Sequence, residues 1–446
     1  MDILKKIFGL SKANNDPQPD VVFGRYTDAY KDKSKYEAWD AAMKEFNLEN
    51  YTTYFEKFFY YLSDEDLGNV TFSTTEGVTY FEIFQGSKLL VGTADRNIIR
   101  VESKIAKADK INIGLLRRLL ELNFTLKYSR YALDDNEWIT MIFDAKSKDT
   151  NPYKLYYGLK ELALNSDKQD DILESEFKSL SGINKTHIKD LSEAEKKIKF
   201  DYLQRSIADV FNIKELIKLN LDNFPGSISY LYLDVIYRLD YLLKPEGFVM
   251  EQFEKLHRAY YAQNGEAPGH KNLTLYNGLQ EIQKRSYDEL SAEMYQVTST
   301  FGITQPSGHE RLVEFIQKEI QNLQYYEVHG HDQIVQSICN YIVGYCLFNY
   351  SLPTPDKSFL HLYYMVTEYA FFKELGFTYN LVSDVKLHKS RIISEIKRVA
   401  KIHKDEFGEI IPDLSSLSFD SVMSFSKSYL LMLSNLKLSP SKNMNG

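Results

Sequence analysis

The sequence predicts an α+β fold, in which an N-terminal antiparallel sheet with packed helices is followed by an all-α region. Two changes of pattern support this prediction. Apolar residues first recur at helical spacing and then alternate with polar residues from about residue 69 to residue 105, which is typical of strands with one buried face. Beyond Leu191 the alternation does not return, and helical spacing interrupted by Pro and Gly continues.

The elements of the N-terminal region follow in a definite order. Two helices are expected within residues 34–64, and Asn50 is placed to cap the second one. Runs rich in β-branched and aromatic residues then predict a meander of three strands and a fourth that extends it, at residues 69–74, 78–84, 88–93 and 98–105. A helix over residues 114–122 and a hairpin of residues 125–133 and 137–143 come next. Asn151 and Pro152 predict the start of a long helix that runs to about Leu180.

The remaining chain is expected to form seven to nine helices, and one of them is predicted to run from Lys271 to about Ser299. The predicted domain organisation is a tail at residues 1–21, an α+β domain at 22–181 and an all-α domain at 182–446. The tail is expected to be either a short amphipathic helix or disordered.

Composition and charge limit the function. Of 446 residues, 54 are Lys or Arg and 62 are Asp or Glu, and the net charge of −8 argues against nucleic-acid binding over the whole surface. No apolar run reaches the roughly 18 residues of a membrane span, so none is expected. The two cysteines, Cys339 and Cys346, lie in an apolar helical segment and are interpreted as core residues in a reducing compartment, which favours the cytoplasm.

Three segments of the first region resemble the type III secretion chaperone family and its bacterial sensory-transduction-regulator-like (YbjN-like) relatives. They are residues 115–124 (LLRRLLELNF), residues 131–137 (YALDDNE) and residues 159–173 (LKELALNSDKQDDIL). The resemblance covers about residues 35–175, roughly a third of the chain, and the element order agrees with that family. This chain has an additional helix before the sheet and a long helical region that the small chaperones lack.

The resemblance implies a non-enzymatic domain that dimerises and holds an extended partner segment on apolar surface patches. Leu115, Leu116, Leu119 and Leu120 would lie on the middle helix, part of which faces the dimer partner in that family. Phe81 and Ile83, in the second strand, are further candidates for dimer or partner contacts.

Other residues suggest chemistry only weakly. His329, His331 and Asp332 could approach one metal ion, but their spacing supplies no further ligand, and a polar turn is the simpler interpretation. Ser307 stands near His309, and helix capping is a simpler role for it than nucleophilic catalysis. The basic residues within 386–404 share a helix with an apolar stripe, which indicates a solvated face rather than a phosphate site. Phosphate-binding glycine loops do not occur, and no cofactor is expected.

The expected function is therefore that of a non-enzymatic cytoplasmic protein-binding module, similar to a chaperone or adaptor, that holds a segment of an unidentified protein partner on apolar surface of the α+β domain. A homodimer is compatible with this role. The alternatives are a structural or regulatory assembly component, or an enzyme of unfamiliar type in the helical domain with acid/base groups among His257, His270, His309 and His361.

Overall fold

The computed structural model describes residues 18–108, 111–177, 179–182, 188–216 and 224–438. Its fold is α+β, with an antiparallel sheet near the N-terminus followed by a helical region, as the sequence predicts. Residues 1–17 of the predicted tail lie outside the described residues. No helix among the described residues is both long and apolar enough to cross a bilayer.

Contacts divide the chain into two compact units. The α+β unit consists of residues 26–189 and 296–303, and the helical unit contains the described residues up to Arg25, residues 190–295 and those from Thr304 onward. This division differs from the predicted limits of 22 and 181 in three places. Residues 22–25 belong to the helical unit, the α+β unit continues to Lys189, and a short segment from the middle of the helical sequence, residues 296–303, belongs to the α+β unit.

The α+β unit follows the predicted order with small differences. Its elements are α1 (Lys33–Asn47), α2 (Tyr51–Leu62), β1 (Val70–Thr75), β2 (Val78–Gln85), β3 (Lys88–Ala94), β4 (Ile98–Ala108), α3 (Ile113–Thr125), β5 (Arg130–Leu133), β6 (Trp138–Lys146), α4 (Pro152–Glu176) and β7 (Leu180–Gly182). The strand order is β1-β2-β3-β4-β6-β5, and β7 pairs with β4. The long helix α4 therefore ends earlier than expected, because the chain after it becomes a strand.

Two predicted helix caps have different outcomes. Asn151 caps α4 through a hydrogen bond from Lys154 N to its side chain, at 2.9 Å. The prediction that Asn50 caps α2 is wrong, because its side-chain nitrogen donates to Glu45 at 2.8 Å instead. The start of α2 is held by burial of its aromatic side chains rather than by a cap.

The core of the α+β unit is rich in aromatic rings on one face of the sheet. Tyr54, Phe55, Phe58 and Phe59 project from α2 and are fully buried. The Phe59 ring stacks on Phe81 of β2 with centroids 4.1 Å apart. Phe81 pairs with Gly92 of β3, where a Cβ atom would lie only 2.3 Å from the ring. A glycine is required there because the ring occupies the space of a side chain.

The helical unit is built on two central helices, α6 (Pro225–Leu243) and α12 (Asp332–Asn349), which pack against each other. Around them lie α5 (Glu193–Leu216), α7 (Gly247–Tyr261), α8 (Pro268–Gln283), α9 (Tyr287–Ser291), α10 (His309–Ile320), α11 (Leu323–Val328), α13 (Thr354–Thr367), α14 (Tyr369–Glu374), α15 (Lys389–Ile402), α16 (Lys404–Phe407) and α17 (Val422–Ser434). Gly344 allows the close approach, since a Cβ atom there would lie 2.7 Å from the Cβ of Tyr237. Strands of only two residues also occur among these helices.

The prediction of one helix from Lys271 to about Ser299 is wrong. Helix α8 ends at Gln283, and Ser286 begins α9 with a capping box in which its side chain and that of Glu289 bond each other's backbone N–H groups. A local cap thus competes successfully with continuation of the helix. The chain after α9 is extended and leads into the segment that joins the α+β unit.

Candidate partner-binding surface

Helix α3 carries four of the six predicted contact residues, and both of its ends are fixed by asparagines. The Asn112 side chain accepts a hydrogen bond from Leu115 N at 2.9 Å and caps the helix. Near the other end, the Asn123 amide donates to Tyr131 O at 3.2 Å and accepts from Tyr131 N at 2.6 Å. Asn123 therefore anchors α3 to β5 and occupies the backbone polar groups of Tyr131 on this edge strand.

The apolar residues of α3 point in two directions. Leu115 and Leu119 are buried in the core of the α+β unit. Four others remain in solvent, with exposed fractions of 85% for Ile113, 42% for Leu116, 69% for Leu120 and 92% for Phe124. Their spacing of three or four residues places them in one row along the helix. We call Ile113, Leu116, Leu120 and Phe124 the apolar stripe.

Charged side chains border the apolar stripe on one side. Arg117 and Glu121 lie one turn apart, form an ion pair with an N–O distance of 3.1 Å and are both exposed. Singly exposed leucines are ordinary on protein surfaces, whereas a contiguous apolar row with a charged border is typical of a surface that contacts another molecule.

Phe81 and Ile83 do not lie on a surface. Both side chains of β2 face the helices and are buried, because the strand alternates and its apolar side forms the core. The neighbouring residue between them, Glu82, faces the other way and approaches the hydroxyl of Thr71. Further along that face, Arg130 pairs with Asp144 at 2.5 Å. The open side of the sheet therefore combines charged groups with the exposed side chains of Tyr80 and Val91, whereas Phe81 and Ile83 could reach a partner only through unfolding of the core.

Of the six residues predicted as contacts, only Leu116 and Leu120 lie in the exposed row, and Ile113 and Phe124, which the prediction does not include, lie in the same row. The signal that could have identified the missing pair is the helical row itself, because positions 113, 116, 120 and 124 follow one another by three or four residues. The four leucines do not share one face of α3, because Leu115 and Leu119 face the core of the α+β unit.

The four histidines of the enzymatic alternative each have a different local partner. His257 lies beside the Tyr237 hydroxyl at 2.8 Å, and burial lowers its pKa to about 4. His361 lies beside the Tyr241 hydroxyl at 2.9 Å, and burial lowers its pKa to about 3. Both are therefore neutral near neutral pH, His361 in the core and His257 partly buried. His270 is exposed and lies 3.4 Å from Glu266, which precedes α8.

The carboxylate partner of His309, Asp356, is itself buried. Its Nδ1 lies 2.8 Å from Asp356, and its Nε2 lies 3.0 Å from the carbonyl oxygen of Leu436. Burial alone would lower the pKa of His309, but the hydrogen bond and charge of Asp356 raise it overall. Because both ring nitrogens are engaged, this pair fastens the segment after α17 to α10 and leaves no ring nitrogen for a substrate.

Three further candidates from the sequence are a metal site, the cap residue Ser307 and the basic helix. Within the described residues no group of three or more His, Cys, Asp or Glu side chains could hold a metal ion. The prediction that Ser307 caps a helix is wrong, because α10 has Gly308 at its cap and Ser307 Oγ donates to Gln305 O. In α15 Ile392, Ile396 and Val399 are buried while Lys397 and Lys401 are exposed, as the sequence pattern predicts. Ile402 is exposed, however, and the helix spans only Lys389–Ile402 of the predicted 386–404.

Comparison of the sequence with known proteins identified no relative. No protein-family model matches the chain, and the search of curated proteins finds no significant match.

Proposed function

We propose that this chain is a non-enzymatic protein-binding module of the cytoplasm, similar to a chaperone or adaptor, and that its α+β unit holds a helical segment of a partner protein on the apolar stripe. The observation that supports this proposal most directly is the exposure of Ile113, Leu120 and Phe124 in one row on a helix that is otherwise well anchored. The proposal shares with the secretion-chaperone resemblance of residues 35–175 a partner segment held on apolar surface, but it takes that segment to be helical rather than extended.

The chemistry of the stripe favours an amphipathic helix as the occupant. Full burial of one leucine or phenylalanine side chain contributes about 1.5–3 kcal/mol, so four of them can offset part of the entropy lost on association. A partner helix with apolar residues every three or four positions would match this row. Addition of a strand is less favourable beside α3, because Asn123 already bonds both backbone groups of Tyr131.

The charged residues beside the apolar stripe are expected to influence the direction in which a partner helix binds. Arg117 and Glu121 stand on the same side of the row and carry opposite charges. A partner helix with the complementary order of charges would gain electrostatic attraction in one direction and repulsion in the other. Charge order is therefore expected to select the direction of the bound helix, while the apolar residues supply most of the affinity.

The experiment is site-specific photo-cross-linking in the native cytoplasm, with the cross-linker at position 124 of the full chain and, as the matched control, at position 273. Leu273 is a half-exposed leucine on α8. A protein that cross-links at 124 and not at 273 is then purified, and its Kd is measured for Leu120→Glu and for Leu273→Glu.

The proposal expects Leu120→Glu to raise the Kd at least about 10-fold, roughly 1.4 kcal/mol, and Leu273→Glu to leave it unchanged. Equal cross-linking at both positions, no cross-linking at 124, or a Kd unaffected by Leu120→Glu would contradict it. A cross-linked product of two copies of this chain would identify a homodimer as the occupant, which sedimentation of the Leu120→Glu variant would check.

A further inference from the structure

The α+β unit contains a second and different feature, the segment of residues 296–303. This segment follows α9 in the sequence but packs within the α+β unit. Thr300 and Phe301 are fully buried there, although beyond the strand residue Gln296 the segment has only an isolated bridge between Thr298 and Gly86. Its backbone polar groups must therefore be satisfied by other parts of the unit.

Two elements of the α+β unit provide those hydrogen bonds. Gly86 N donates to Thr298 O at 3.0 Å. The Gln85 amide oxygen accepts from Thr300 N at 3.1 Å and from Phe301 N at 2.9 Å, and its nitrogen donates to Phe301 O at 3.3 Å. Asp28 accepts from Gly302 N at 3.1 Å. The backbone of three consecutive residues is thus bound by two buried side chains, Gln85 and Asp28.

The side chains of the segment are recognised individually. The Thr300 hydroxyl lies 2.8 Å from Phe84 O and 3.3 Å from Asn69 O, and it accepts from the Asn69 amide at 3.2 Å. The Phe301 ring meets the ring of Tyr156 edge to face, with centroids 5.6 Å apart. Position 300 of the segment therefore favours a side chain with a hydroxyl group, and position 301 favours an aromatic ring.

The third position requires the absence of a side chain. A Cβ atom on Gly302 would lie 3.0 Å from Asp28, from the Thr27 backbone and from the Tyr26 carbonyl oxygen. Asp28 is held in place by the Tyr156 hydroxyl, with which it forms a short hydrogen bond, and by Lys160 at 3.7 Å. Backbone and side-chain contacts together bind Thr300, Phe301 and Gly302 in a bent conformation.

These contacts have the character of a peptide-binding site. Gln85 is a buried side chain whose amide oxygen and nitrogen both bond the segment, so removing the segment would leave it unsatisfied, whereas Asn69 and Asp28 keep other partners. A peptide with the same three residues could satisfy Gln85 equally well. The site uses residues of β2, α4 and the chain before α1, so it is separate from the apolar stripe.

We propose that the α+β unit has a binding site for a bent Thr-Phe-Gly segment, that residues 300–302 fill it as an intramolecular ligand, and that a partner protein carrying the same pattern can exchange with them. The covalently attached segment competes at an effective concentration in the millimolar range. Binding of an external peptide to the intact chain is therefore weak until the internal segment is weakened.

The test uses the full chain and a fluorescein-labelled peptide with the sequence of residues 296–303, followed by fluorescence anisotropy. Phe301→Ala removes the internal ring and is expected to bind the peptide at least about 10-fold more tightly than the natural chain. A peptide with Ala in place of its Phe is expected to bind neither chain. A folded Phe301→Ala chain that binds no peptide would overturn the proposal.

A second measurement needs no variant and therefore does not depend on the folding of Phe301→Ala. Hydrogen exchange of the natural chain is recorded with and without millimolar unlabelled peptide, and faster exchange at Thr300 and Phe301 is expected when the peptide is present. Unchanged exchange at both amides would show that the segment is a permanent part of the core. Leu120→Glu should not alter peptide affinity, so failure here and failure of the apolar stripe are distinguishable.

Discussion

The helical unit and the α+β unit distribute their polar and apolar groups in opposite ways. In the helical unit Arg238 is largely removed from solvent and bonds Asp234 at 3.1 Å and Glu368 at 3.1 Å. In the α+β unit the apolar stripe of α3 lies in solvent. The charges around Arg238 are thus paired within the helical unit, whereas the apolar stripe leaves area available for another molecule.

The buried charges of the helical unit form a connected network. Arg238 also donates to the Tyr202 hydroxyl at 3.0 Å, and the Asn340 amide donates to Asp234 at 3.2 Å. Burial raises the pKa of Asp234 to about 6, although Arg238 opposes that shift. Such a network fixes one arrangement of helices, because any other arrangement would leave a buried charge without a partner.

The largest expected effect tests this network. Arg238→Met would leave Asp234 and Glu368 without their common partner and is expected to destabilise the helical unit by about 3–5 kcal/mol. The measurement is hydrogen exchange in increasing urea, followed in α6 and in β2 so that the two units are observed separately.

Arg205→Met is the matched control, because Arg205 bonds Glu374 at 3.1 Å and 2.8 Å in an exposed position. Its expected cost is below about 1 kcal/mol. Equal losses in the two variants would remove the distinction between internal and surface charges.

The next effect concerns the two faces of α3. Leu115→Ala removes a fully buried side chain and is expected to lower the stability of the α+β unit by about 2–4 kcal/mol, because a cavity remains. Leu116→Ala, one residue later and partly exposed, is expected to cost less than about 1 kcal/mol. Hydrogen exchange in β2 is the measurement. A larger loss for Leu116→Ala would mean that the apolar stripe is not free.

The smallest effect is a dependence on pH in the helical unit. Burial lowers the pKa of His361 to about 3, from an ordinary value near 6.5. Between about pH 3 and pH 6.5, His361 therefore binds a proton in the unfolded chain but not in the folded chain. The stability from this group is complete above pH 6.5 and decreases as pH falls, by roughly 2 kcal/mol at pH 5. His361→Phe is expected to remove this part of the pH dependence in urea denaturation between pH 7 and pH 5.

The control for that prediction is Tyr241→Phe. It deletes the hydroxyl next to His361 but keeps the imidazole buried. Since burial causes the lowered pKa, the pH dependence should persist in Tyr241→Phe. If it disappears there as well, the hydrogen bond rather than burial controls the ionisation of His361.

Elements with strong local patterns were predictable from the sequence. The strands β1 to β4, the turn between β5 and β6, and the start of α4 all occur where alternation, turn residues or Asn151 place them. These signals are local, because each depends on residues within a few positions of one another. Asn50 shows their limit, since a residue of the correct type at the correct position bonds Glu45 instead.

The candidate site was less predictable. The α3 leucines were identified, but their division into buried and exposed members depends on where the helix meets the sheet. Phe81 and Ile83 were assigned to a surface, although the sheet buries the side of β2 that carries them. Residues 296–303 gave no sequence signal, because their partners Asp28, Asn69 and Gln85 are more than 200 positions away.

The α+β class, the order of the sheet elements and the helical nature of the later region can be predicted from the sequence, since periodicity is a property of neighbouring residues. The exposed face of α3, the segment that completes the α+β unit and the set of buried charges depend on the tertiary structure. Exposure and pairing depend on contacts between residues far apart in the chain, and one sequence does not encode those distances in any local pattern.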